Sequence, residues 1–384
     1  MRAMEAFRLE RFFAEHEFSA KYLLCSSDCE SISTRELLAM EEGAETGLLD
    51  LRLGYTETRG APSLRRDIAA GYASPATGGP GAEGVFVHAG AEEAILNFFL
   101  ATVGSGDHVV VNSPAYQSLS EIPRWLGAAV SPWKLRDEGG RWFLDPDELR
   151  RLLSPKTRAV VLNLPHNPTG ALSTIGEFEA IVERCRKEGV LLFVDEVYRG
   201  LELDEARRLP SVCELYENGV ALNVLSKTAG LAGLRIGWLA SRRADILDAV
   251  AVVKDYNSIC SSAPSEYLAG VALRNFERIA DQNRSLCAAN LALFETFVGR
   301  HPDFAGLTRP EGSSICFPRL AGRAEIEFSG DAETMALALL RESGVLLLPG
   351  DYYGYDARHF RVGFGRKNFG EGLAALEKWL VDRG

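Results

Sequence analysis

One lysine of this chain stands where its amine can act as a nucleophile. The apolar run 221–225 has the composition of a buried strand, and Ser226 and Lys227 follow it directly. Burial disfavours the charged form of a lysine and lowers its pKa, so the neutral amine becomes available near neutral pH. A neutral lysine amine condenses with carbonyl groups to form a Schiff base. Lys227 is therefore the first candidate for a catalytic residue.

Three further polar side chains occur at the ends of strand-like segments or in the loops beside them. Asp195 ends an apolar run, Asn167 lies in an Asn-Pro turn, and Arg361 lies in the motif Phe-Arg-Val-Gly-Phe. Asn167 precedes Asp195 by 28 residues, and Lys227 follows Asp195 by 32 residues. In open α/β sheets, ligands bind at the carboxyl ends of the strands. The sequence therefore predicts one site that is assembled from loops distant in the chain.

These motifs, in this order, resemble those of the class I/II aminotransferases, which are fold-type-I enzymes that depend on pyridoxal phosphate (PLP). The motifs are Leu-Pro-His-Asn-Pro-Thr-Gly at 164–170, Val-Asp-Glu-Val-Tyr-Arg at 194–199, Leu-Ser-Lys-Thr at 225–228 and Phe-Arg-Val-Gly-Phe at 360–364. The resemblance covers the chain from about Leu51 to its end. It implies pyridoxal 5'-phosphate as the cofactor, an amino acid and a 2-oxo acid as substrates, and transfer of the amino group through a Schiff base on Lys227.

The resemblance implies roles for the residues around the cofactor ring. Asp195 keeps the pyridine nitrogen protonated, because an ionised carboxylate beside the nitrogen stabilises that proton. Asn167 and Tyr198 donate hydrogen bonds to the phenolic oxygen, and Tyr116 stacks on the ring. With Lys227, Asp195 and Tyr198 form the expected catalytic set. On composition alone, Asn-Pro is also an ordinary turn former, and a tyrosine is often simply a core residue.

The same resemblance places the cofactor phosphate at the start of a helix. Gly90 precedes that helix, and the backbone amides of Ala91 and Glu92 open it, which suits an anion. The Glu92 side chain then has to turn away from the phosphate. Ser226 supplies a hydroxyl, and Arg235 supplies a guanidinium that can bind the phosphate through two hydrogen bonds.

Two more residues complete the site that the resemblance implies. Arg361 binds the α-carboxylate of the substrate, with Asn167 beside it, because a planar guanidinium matches a carboxylate better than an ammonium does. Tyr55 reaches the phosphate from the partner subunit. The protein is therefore expected to be a homodimer with shared active sites.

Helix-like and strand-like segments alternate through most of the chain, which is typical of an α/β fold with a mainly parallel sheet. The resemblance implies a seven-stranded sheet in a large PLP-binding domain, residues 46–284. Residues 1–45 and 285–384 are expected to form a smaller α+β domain. The predicted strands are at 85–88, 108–111, 159–164, 190–194, 222–225, 236–240, 314–318, 325–328, 345–348 and 360–364, and the predicted helices are at 91–103, 116–126, 175–188, 284–299, 332–343 and 371–381.

Composition excludes several classes of partner. The 42 basic and 53 acidic residues give a net charge of −11, which disfavours nonspecific binding to nucleic acid or anionic lipid. No apolar run approaches the roughly 20 residues that span a bilayer. Residues 1–10 carry acids where a signal peptide has its apolar core, and they are expected to form an amphipathic helix. The seven cysteines include no CxxC pair, so we expect reduced thiols, no metal site and a cytoplasmic location.

The motifs leave the reaction and the substrate open. A PLP-dependent β/γ-lyase or cyclase uses the same cofactor-binding residues, and the segment 253–266 resembles family members near capreomycidine synthase. Segment 23–31 covers the region of the substrate side chain but lacks the glycine-containing pattern usual there, which argues against a generic aspartate pocket. Four residues are candidates for lining the pocket: Tyr22, Ile32, Tyr256 and Tyr352.

Two readings from other classes are weaker. A noncatalytic PLP-binding transcription regulator carries a basic DNA-binding module ahead of this domain. Only about fifty residues precede the first motif here, and they contain acids and no clear helix-turn-helix. A dinucleotide-binding dehydrogenase is less favoured still, because no GxGxxG motif follows an early strand.

Overall fold

A seven-stranded sheet forms the centre of the protein in the computed structural model, which describes residues 3–383. The strands in spatial order are Val85–His88, Gly237–Ser241, Gly219–Val224, Leu191–Asp195, Thr157–Asn163, His108–Ser113 and Ala129–Lys134. Gly237–Ser241 runs antiparallel to both of its neighbours, and the other neighbouring pairs are parallel. The predicted α/β fold with a mainly parallel seven-stranded sheet is thus confirmed.

Both faces of this sheet are covered by other parts of the chain. Its strands therefore consist of nearly continuous runs of apolar residues in the sequence. Along Leu191–Asp195, Phe193 packs into the core on one face, while Leu192 and Val194 pack into the core on the other. The helices Ala91–Thr102, Gln117–Trp125 and Ala244–Lys254 contribute to the first core, and Ile175–Glu188, Val212–Leu215 and Pro146–Leu152 contribute to the second. Parallel strands of this kind hold their carboxyl ends in fixed positions.

The edge strand Ala129–Lys134 and the helix Ala244–Lys254 were not predicted from the sequence. Most side chains of this edge strand are exposed or half-buried, so it lacks the apolar run that marks its neighbours. The helix Ile175–Glu188 lies where it was predicted. A capping box of Thr174 and Glu177 starts it, and Gly189 ends it in a left-handed conformation.

The C-terminal part contains the long helix Phe276–Arg300 and a three-stranded antiparallel sheet, Ile315–Cys316, Phe360–Gly363 and Leu348–Pro349. Its other helices are Gly322–Glu327, Ala332–Ser343 and Phe369–Asp382. The predicted strand at 325–328 is wrong, because residues 325–327 belong to the helix Gly322–Glu327 and Phe328 caps its end. Arginine, alanine and glutamate favour the helix there, and Ile326 stays 81% exposed instead of anchoring a buried strand.

The N-terminal segment packs against other parts of the chain. Its helix is Arg8–His16, later than the predicted 1–10, of which residues 1 and 2 lie outside the described part. Tyr22–Leu23 pairs in parallel with Val345–Leu346, which ties this segment to the C-terminal part. The division into domains at 46–284, with 1–45 and 285–384 together, stays a prediction.

The helix Ala263–Arg274 has 12 residues. Shorter elements include the helices Thr34–Leu38, Ala44–Leu49 and Pro62–Ala69, the hairpin Arg136–Glu138 with Arg141–Phe143, and the pair Ala305–Gly306 with Arg319–Leu320. Within residues 3–383, no helix has the length and apolar character needed to cross a membrane.

Candidate active site

A cavity of about 620 Å³ lies at the carboxyl edge of the central sheet. The strands Thr157–Asn163 and Leu191–Asp195 contribute their last residues to its wall, and Lys227 follows the strand Gly219–Val224. Most of the predicted site residues line it, namely Ala91, Glu92, Tyr116, Asn167, Asp195, Tyr198, Ser226, Lys227, Arg235 and Arg361. Loops that are distant in sequence meet here because parallel strands present their carboxyl ends at the same edge.

The amine of Lys227 is oriented by Ser27. Lys227 Nζ donates a hydrogen bond to Ser27 Oγ at 2.9 Å. Burial lowers the pKa of Lys227, the Asp28 carboxylate opposes this shift, and the Arg361 cation adds to it. The net direction favours the neutral amine, which is the nucleophilic form.

Asp195 is 6% exposed at the end of its strand. Its Oδ1 accepts a hydrogen bond from the backbone N–H of Val197 at 3.2 Å. Burial raises the pKa of Asp195 to about 7, although this hydrogen bond and the nearby Lys227 favour the ionised form. A cation placed beside such a carboxyl would stabilise its ionised form.

Two asparagines tie the strand ends to the loop that follows them. Asn163 Nδ2 donates to the carbonyl of Asp195 at 2.9 Å, and Asn163 Oδ1 accepts from the backbone N–H of Asn167 at 2.6 Å. Asn167 Oδ1 accepts from the Tyr353 hydroxyl at 3.0 Å and from Arg361 Nη1 at 3.4 Å. These contacts use the Asn167 oxygen and leave its Nδ2 donor without a partner within residues 3–383.

Arg361 is a buried cation, 2% exposed. Its Nε and Nη2 donate to the carbonyl of Cys25 at 2.9 and 2.6 Å, and its Nη1 donates to the Tyr353 hydroxyl. In the described part of the chain no carboxylate forms an ion pair with this guanidinium. Burying a charge without an opposite charge is costly, so the arrangement is suited to an anionic ligand.

Glycines allow Arg235 to approach the start of the helix Ala91–Thr102. Gly90, at a φ of 91°, precedes this helix, and a Cβ there would lie 2.5 Å from Arg235 Nη2. A Cβ on Gly237 would lie 3.0 Å from the backbone nitrogen of Ala91. The first amides of the helix and the guanidinium thus face the same end of the cavity, as an anion requires.

The Glu92 carboxyl lies at the same end of the cavity as Arg235. Its Oε2 accepts a hydrogen bond from Ser118 Oγ at 3.2 Å, so the side chain is directed to a neighbouring helix. Burial raises the pKa of Glu92 to about 7, and the hydrogen bond from Ser118 partly opposes this shift. A carboxyl with this pKa can be protonated near neutral pH, which reduces its repulsion of an anion.

The residues present fit pyridoxal 5'-phosphate. Tyr198 is fully buried, and its hydroxyl forms no hydrogen bond of ordinary geometry, although Ser27 lies near enough to affect its pKa. This unpartnered hydroxyl and the free Asn167 Nδ2 are two donors in one cavity wall, as a phenolic oxygen needs. Arg235 and the first backbone amides of the helix Ala91–Thr102 could bind a phosphate. The Asp195 carboxylate could stabilise a protonated ring nitrogen.

The N-terminal helix covers the cavity, which the sequence did not predict. The Tyr116 hydroxyl donates to Glu10 Oε1 at 3.0 Å, and the Tyr116 ring lies 5.0 Å from that of Phe7. The covering residues are Phe7, Leu9, Glu10, Arg11, Phe13 and Glu17, with Ser26, Ser27 and Asp28 after them. The amphipathic pattern of the segment marked the helix but could not show which surface it covers.

Several predicted tyrosines lie elsewhere. Tyr55 is 91% exposed and lies outside the cavity of its own chain. Tyr22 and Ile32 are not among the lining residues. Tyr22 belongs to a strand that pairs with Val345–Leu346. The remaining two candidates also lie outside the cavity of their own chain. Tyr256 is 91% exposed, and the Tyr352 hydroxyl donates to Glu333 Oε1 at 2.5 Å away from the cavity.

The sequence model of the family "Aminotransferase class I and II" matches residues 21–370. The chain therefore belongs to this family of PLP-dependent enzymes, and its cofactor is pyridoxal 5'-phosphate.

Three known proteins show how close the likeness is within the family. Capreomycidine synthase of Streptomyces vinaceus is 32% identical over 383 residues, which cover 98% of this chain and 94% of that protein. A PLP-dependent aminotransferase from Streptococcus suis superposes with a TM-score of 0.90 at 31% identity, covering 99% of both chains. The PLP-dependent cyclase OrfR superposes with a TM-score of 0.89 at 28% identity, covering 100% of this chain and 99% of that one.

Proposed function

We propose that this protein is an aminotransferase that moves an amino group between an amino acid and a 2-oxo acid. The observation that carries the proposal is the position of Lys227. Its amine, whose pKa is lowered by burial, lines the same cavity as the buried Arg361 cation and the Asp195 carboxyl. Transamination requires three groups: an amine that acts as a nucleophile and base, a cation that binds the substrate carboxylate, and a carboxylate that keeps the cofactor's ring nitrogen protonated.

Each group has one task in this proposal. When bound, the cofactor supplies an electron sink for the substrate Cα. Arg361 binds the α-carboxylate and so fixes the direction of the Cα–H bond. Lys227 Nζ, oriented by Ser27, would take the proton from the substrate Cα and hold it for transfer to C4′ of the cofactor. Asp195 holds the proton on the ring nitrogen.

The other predicted residues hold the cofactor. Tyr198 and Asn167 donate to the phenolic oxygen, and Tyr116 lies against the ring. The phosphate is bound by Gly90, Ala91, Glu92, Ser226 and Arg235, the first three through the start of their helix. These assignments are supported by the shared cavity and by the close approach of Arg235 to Gly90.

The phosphate site is completed by a partner subunit in this proposal. Members of the family use amino acids and oxo acids and are typically dimeric. Tyr55 is 91% exposed in the single chain, so its ring is available to a second copy. We propose a homodimer in which Tyr55 of each subunit contacts the phosphate of the other.

Cyclisation or elimination is the second candidate. It is favoured by the match to capreomycidine synthase over 98% of this chain and by the likeness to the cyclase OrfR. Both kinds of reaction begin with removal of the Cα proton, so Lys227 and Asp195 serve them equally. The residues that bind the cofactor therefore do not separate the two candidates.

Incubation of the holoenzyme with single amino acids, without any oxo acid, separates them. Transamination converts the bound cofactor to pyridoxamine phosphate and releases one oxo acid, which absorption and mass spectrometry detect. Release of ammonia or of a cyclised product, with the cofactor unchanged, would replace the first candidate with the second. Lys227→Ala is the control, and we expect it to fold normally and to lose at least about 10³-fold in turnover.

A further inference from the structure

Tyr353 is a buried tyrosine to which the proposed function gives no task. It is 3% exposed and is not one of the residues that line the active-site cavity. Its hydroxyl nevertheless contacts two residues that do line the cavity. It lies 3.0 Å from Asn167 Oδ1, and Arg361 Nη1 donates a hydrogen bond to it. A side chain outside the cavity that bonds two lining residues can fix their positions.

The direction of each hydrogen bond follows from the chemistry of the three groups. A guanidinium has only N–H donors, so the Tyr353 oxygen accepts from Arg361 and its single proton is left for Asn167. Burial raises the pKa of Tyr353 to about 12, although the Arg361 cation opposes this shift, so the hydroxyl keeps its proton at neutral pH. The donors therefore run in one direction, from Arg361 through Tyr353 to the amide oxygen of Asn167.

This chain of donors determines the orientation of the Asn167 amide. The oxygen and the nitrogen of an asparagine amide exchange places when the amide rotates by half a turn, so the hydrogen-bond partners decide between the two orientations. Both partners of Oδ1 are donors, the Tyr353 hydroxyl at 3.0 Å and Arg361 Nη1 at the longer distance of 3.4 Å. The amide oxygen therefore faces Tyr353 and Arg361, and the Nδ2 donor is left for a ligand.

The surroundings of Tyr353 hold its hydroxyl in place. Tyr353 ends the short helix Gly350–Tyr353, and Gly354 follows in a left-handed conformation at a φ of 67°. The Tyr353 carbonyl accepts a hydrogen bond from the backbone N–H of Ala115 at 3.4 Å, and its ring packs edge-on against Phe317 with the centroids 6.0 Å apart. Groups that are fixed before a ligand arrives lose little freedom when it binds, which favours binding.

We propose that Tyr353 is a positioning residue, whose hydroxyl directs Asn167 Nδ2 to the phenolic oxygen of the cofactor and holds the Arg361 guanidinium for the substrate α-carboxylate. This inference rests on the proposed function, which assigns those two tasks to Asn167 and Arg361. Tyr353 acts through these two residues, since it does not line the cavity. Loss of its hydroxyl therefore changes the ionisation of the bound cofactor and the recognition of carboxylates without removing a group that touches either one.

Tyr353→Phe tests the effect on the cofactor, because it removes the hydroxyl and keeps the ring that packs against Phe317. A hydrogen bond donated to the phenolic oxygen favours its ionised form. We expect the acid dissociation constant of the bound cofactor, measured from absorption spectra of the holoenzyme against pH, to fall about 3- to 10-fold. Tyr352→Phe is the matched control, since the Tyr352 hydroxyl donates to Glu333 outside the cavity. An unchanged constant in Tyr353→Phe, or an equal fall in the control, would overturn the proposal.

A double-mutant cycle shows whether the effect passes through Asn167. Asn167→Ala removes the donor to the phenolic oxygen. Adding Tyr353→Phe should then leave the acid dissociation constant of the bound cofactor at the value of the single Asn167→Ala variant. A further fall of about 3-fold or more would mean that Tyr353 acts by another route, and the proposed role would be wrong.

Carboxylate recognition is tested with two reagents that react with the bound cofactor whatever the natural substrate is. Aminooxyacetate carries a carboxylate, whereas methoxyamine has the same reactive group without one. Stopped-flow absorption gives a second-order rate constant for each. We expect the ratio of the aminooxyacetate constant to the methoxyamine constant to fall about 3- to 10-fold in Tyr353→Phe and to stay unchanged in Tyr352→Phe. An unchanged ratio in Tyr353→Phe, or an equal loss for both reagents, would contradict the positioning of Arg361.

These results are separable from the proposed function, because none of the measurements requires turnover. A holoenzyme that forms no pyridoxamine phosphate with any amino acid, but shows both effects of Tyr353→Phe, would support the positioning role and contradict transamination. A holoenzyme that forms pyridoxamine phosphate, and in which Tyr353→Phe behaves as the wild type in both measurements, would support transamination and overturn the positioning role.

Discussion

Burial controls the ionisation of the charged side chains at the centre of the site. It lowers the pKa of Lys227 and raises the pKa of Asp195 to about 7. Arg361 stays charged in the same surroundings, because a guanidinium is not deprotonated in proteins. A ligand that brings a cation to Asp195 and a carboxylate to Arg361 compensates both groups. The site is therefore arranged for a bound cofactor and substrate together.

The raised pKa of Asp195 makes the stability of the cofactor-free protein depend on pH. The folded state keeps this proton up to about pH 7, whereas the unfolded chain releases it near pH 3.9. Between these values the folded state binds more protons, so the stability contributed by this group falls as the pH rises. We expect Asp195→Asn to stabilise the cofactor-free protein at pH 8 by about 1–4 kcal/mol, with little effect near pH 4. Urea unfolding at both pH values measures the difference.

Asp255→Asn, at an exposed acid, is the control for this measurement. The same Asp195→Asn change should weaken cofactor binding and turnover, because an amide cannot hold the proton on a ring nitrogen. A stability gain of equal size at both pH values would contradict the explanation.

Arg361→Lys tests the carboxylate-binding role at the scale of one residue. Lysine keeps the charge but loses the planar pair of donors, so we expect the Kd of amino acids to rise about 10- to 100-fold. Amino acid amides, which lack the carboxylate, should bind the variant and the wild type with similar affinity. If both classes of ligand were weakened equally, the loss would reflect a damaged cavity.

At the scale of elements, Gly90 sets how closely Arg235 can approach the start of a helix. Gly90 precedes the helix Ala91–Thr102 at a φ of 91°, where a Cβ would lie 2.5 Å from Arg235 Nη2. We expect Gly90→Ala to displace Arg235 and to weaken cofactor affinity by at least about tenfold, measured by fluorescence titration. Gly176→Ala is the matched control, since a Cβ there meets no atom within 4 Å. Similar affinities in both variants would remove Arg235 from the phosphate site.

Elements also differ in how far the sequence predicts them. The helix Ile175–Glu188 has local start and stop signals in Thr174 and Gly189, so its bounds follow from the sequence. The edge strand Ala129–Lys134 has no such signal, because most of its side chains are exposed or half-buried and form no apolar run. The segment 325–328 has an apolar pattern that local helix propensity overrides.

At the scale of the whole molecule, one short segment around Tyr55 carries three strongly exposed large apolar side chains. Leu49 is 78% exposed, Leu53 is 81% exposed and Tyr55 is 91% exposed. Side chains of this size in one short segment favour burial against another protein surface. The proposed homodimer accounts for their exposure in the single chain.

Mixing two inactive variants tests whether the active sites are shared. In a hybrid dimer of Tyr55→Ala and Lys227→Ala, one site receives both native residues if Tyr55 acts across the interface. Random mixing should then restore about one quarter of the wild-type activity, since half of the dimers are hybrids with one complete site. Each variant alone should show much lower activity. Absence of recovery, with hybrid dimers demonstrated by native mass spectrometry, would contradict the shared site.

The sequence by itself determined the fold class and the family of this protein. Strands buried on both faces read as apolar runs, so polar residues at their ends, such as Asp195 and Lys227, stand out without any knowledge of the fold. Their order and spacing carried the family resemblance, which the match to residues 21–370 bears out.

Only the tertiary structure decided that the N-terminal helix covers the site, and what surrounds the charges of the site. Phe7 and Glu10 reach the cavity by packing against Tyr116, which lies more than a hundred residues away in the chain, and no local pattern encodes such a contact. The shifts in pKa at Lys227 and Asp195 also depend on burial by distant parts of the chain. The residue types fixed which chemistry is available, whereas the packing fixed which of them act together and in which ionisation state.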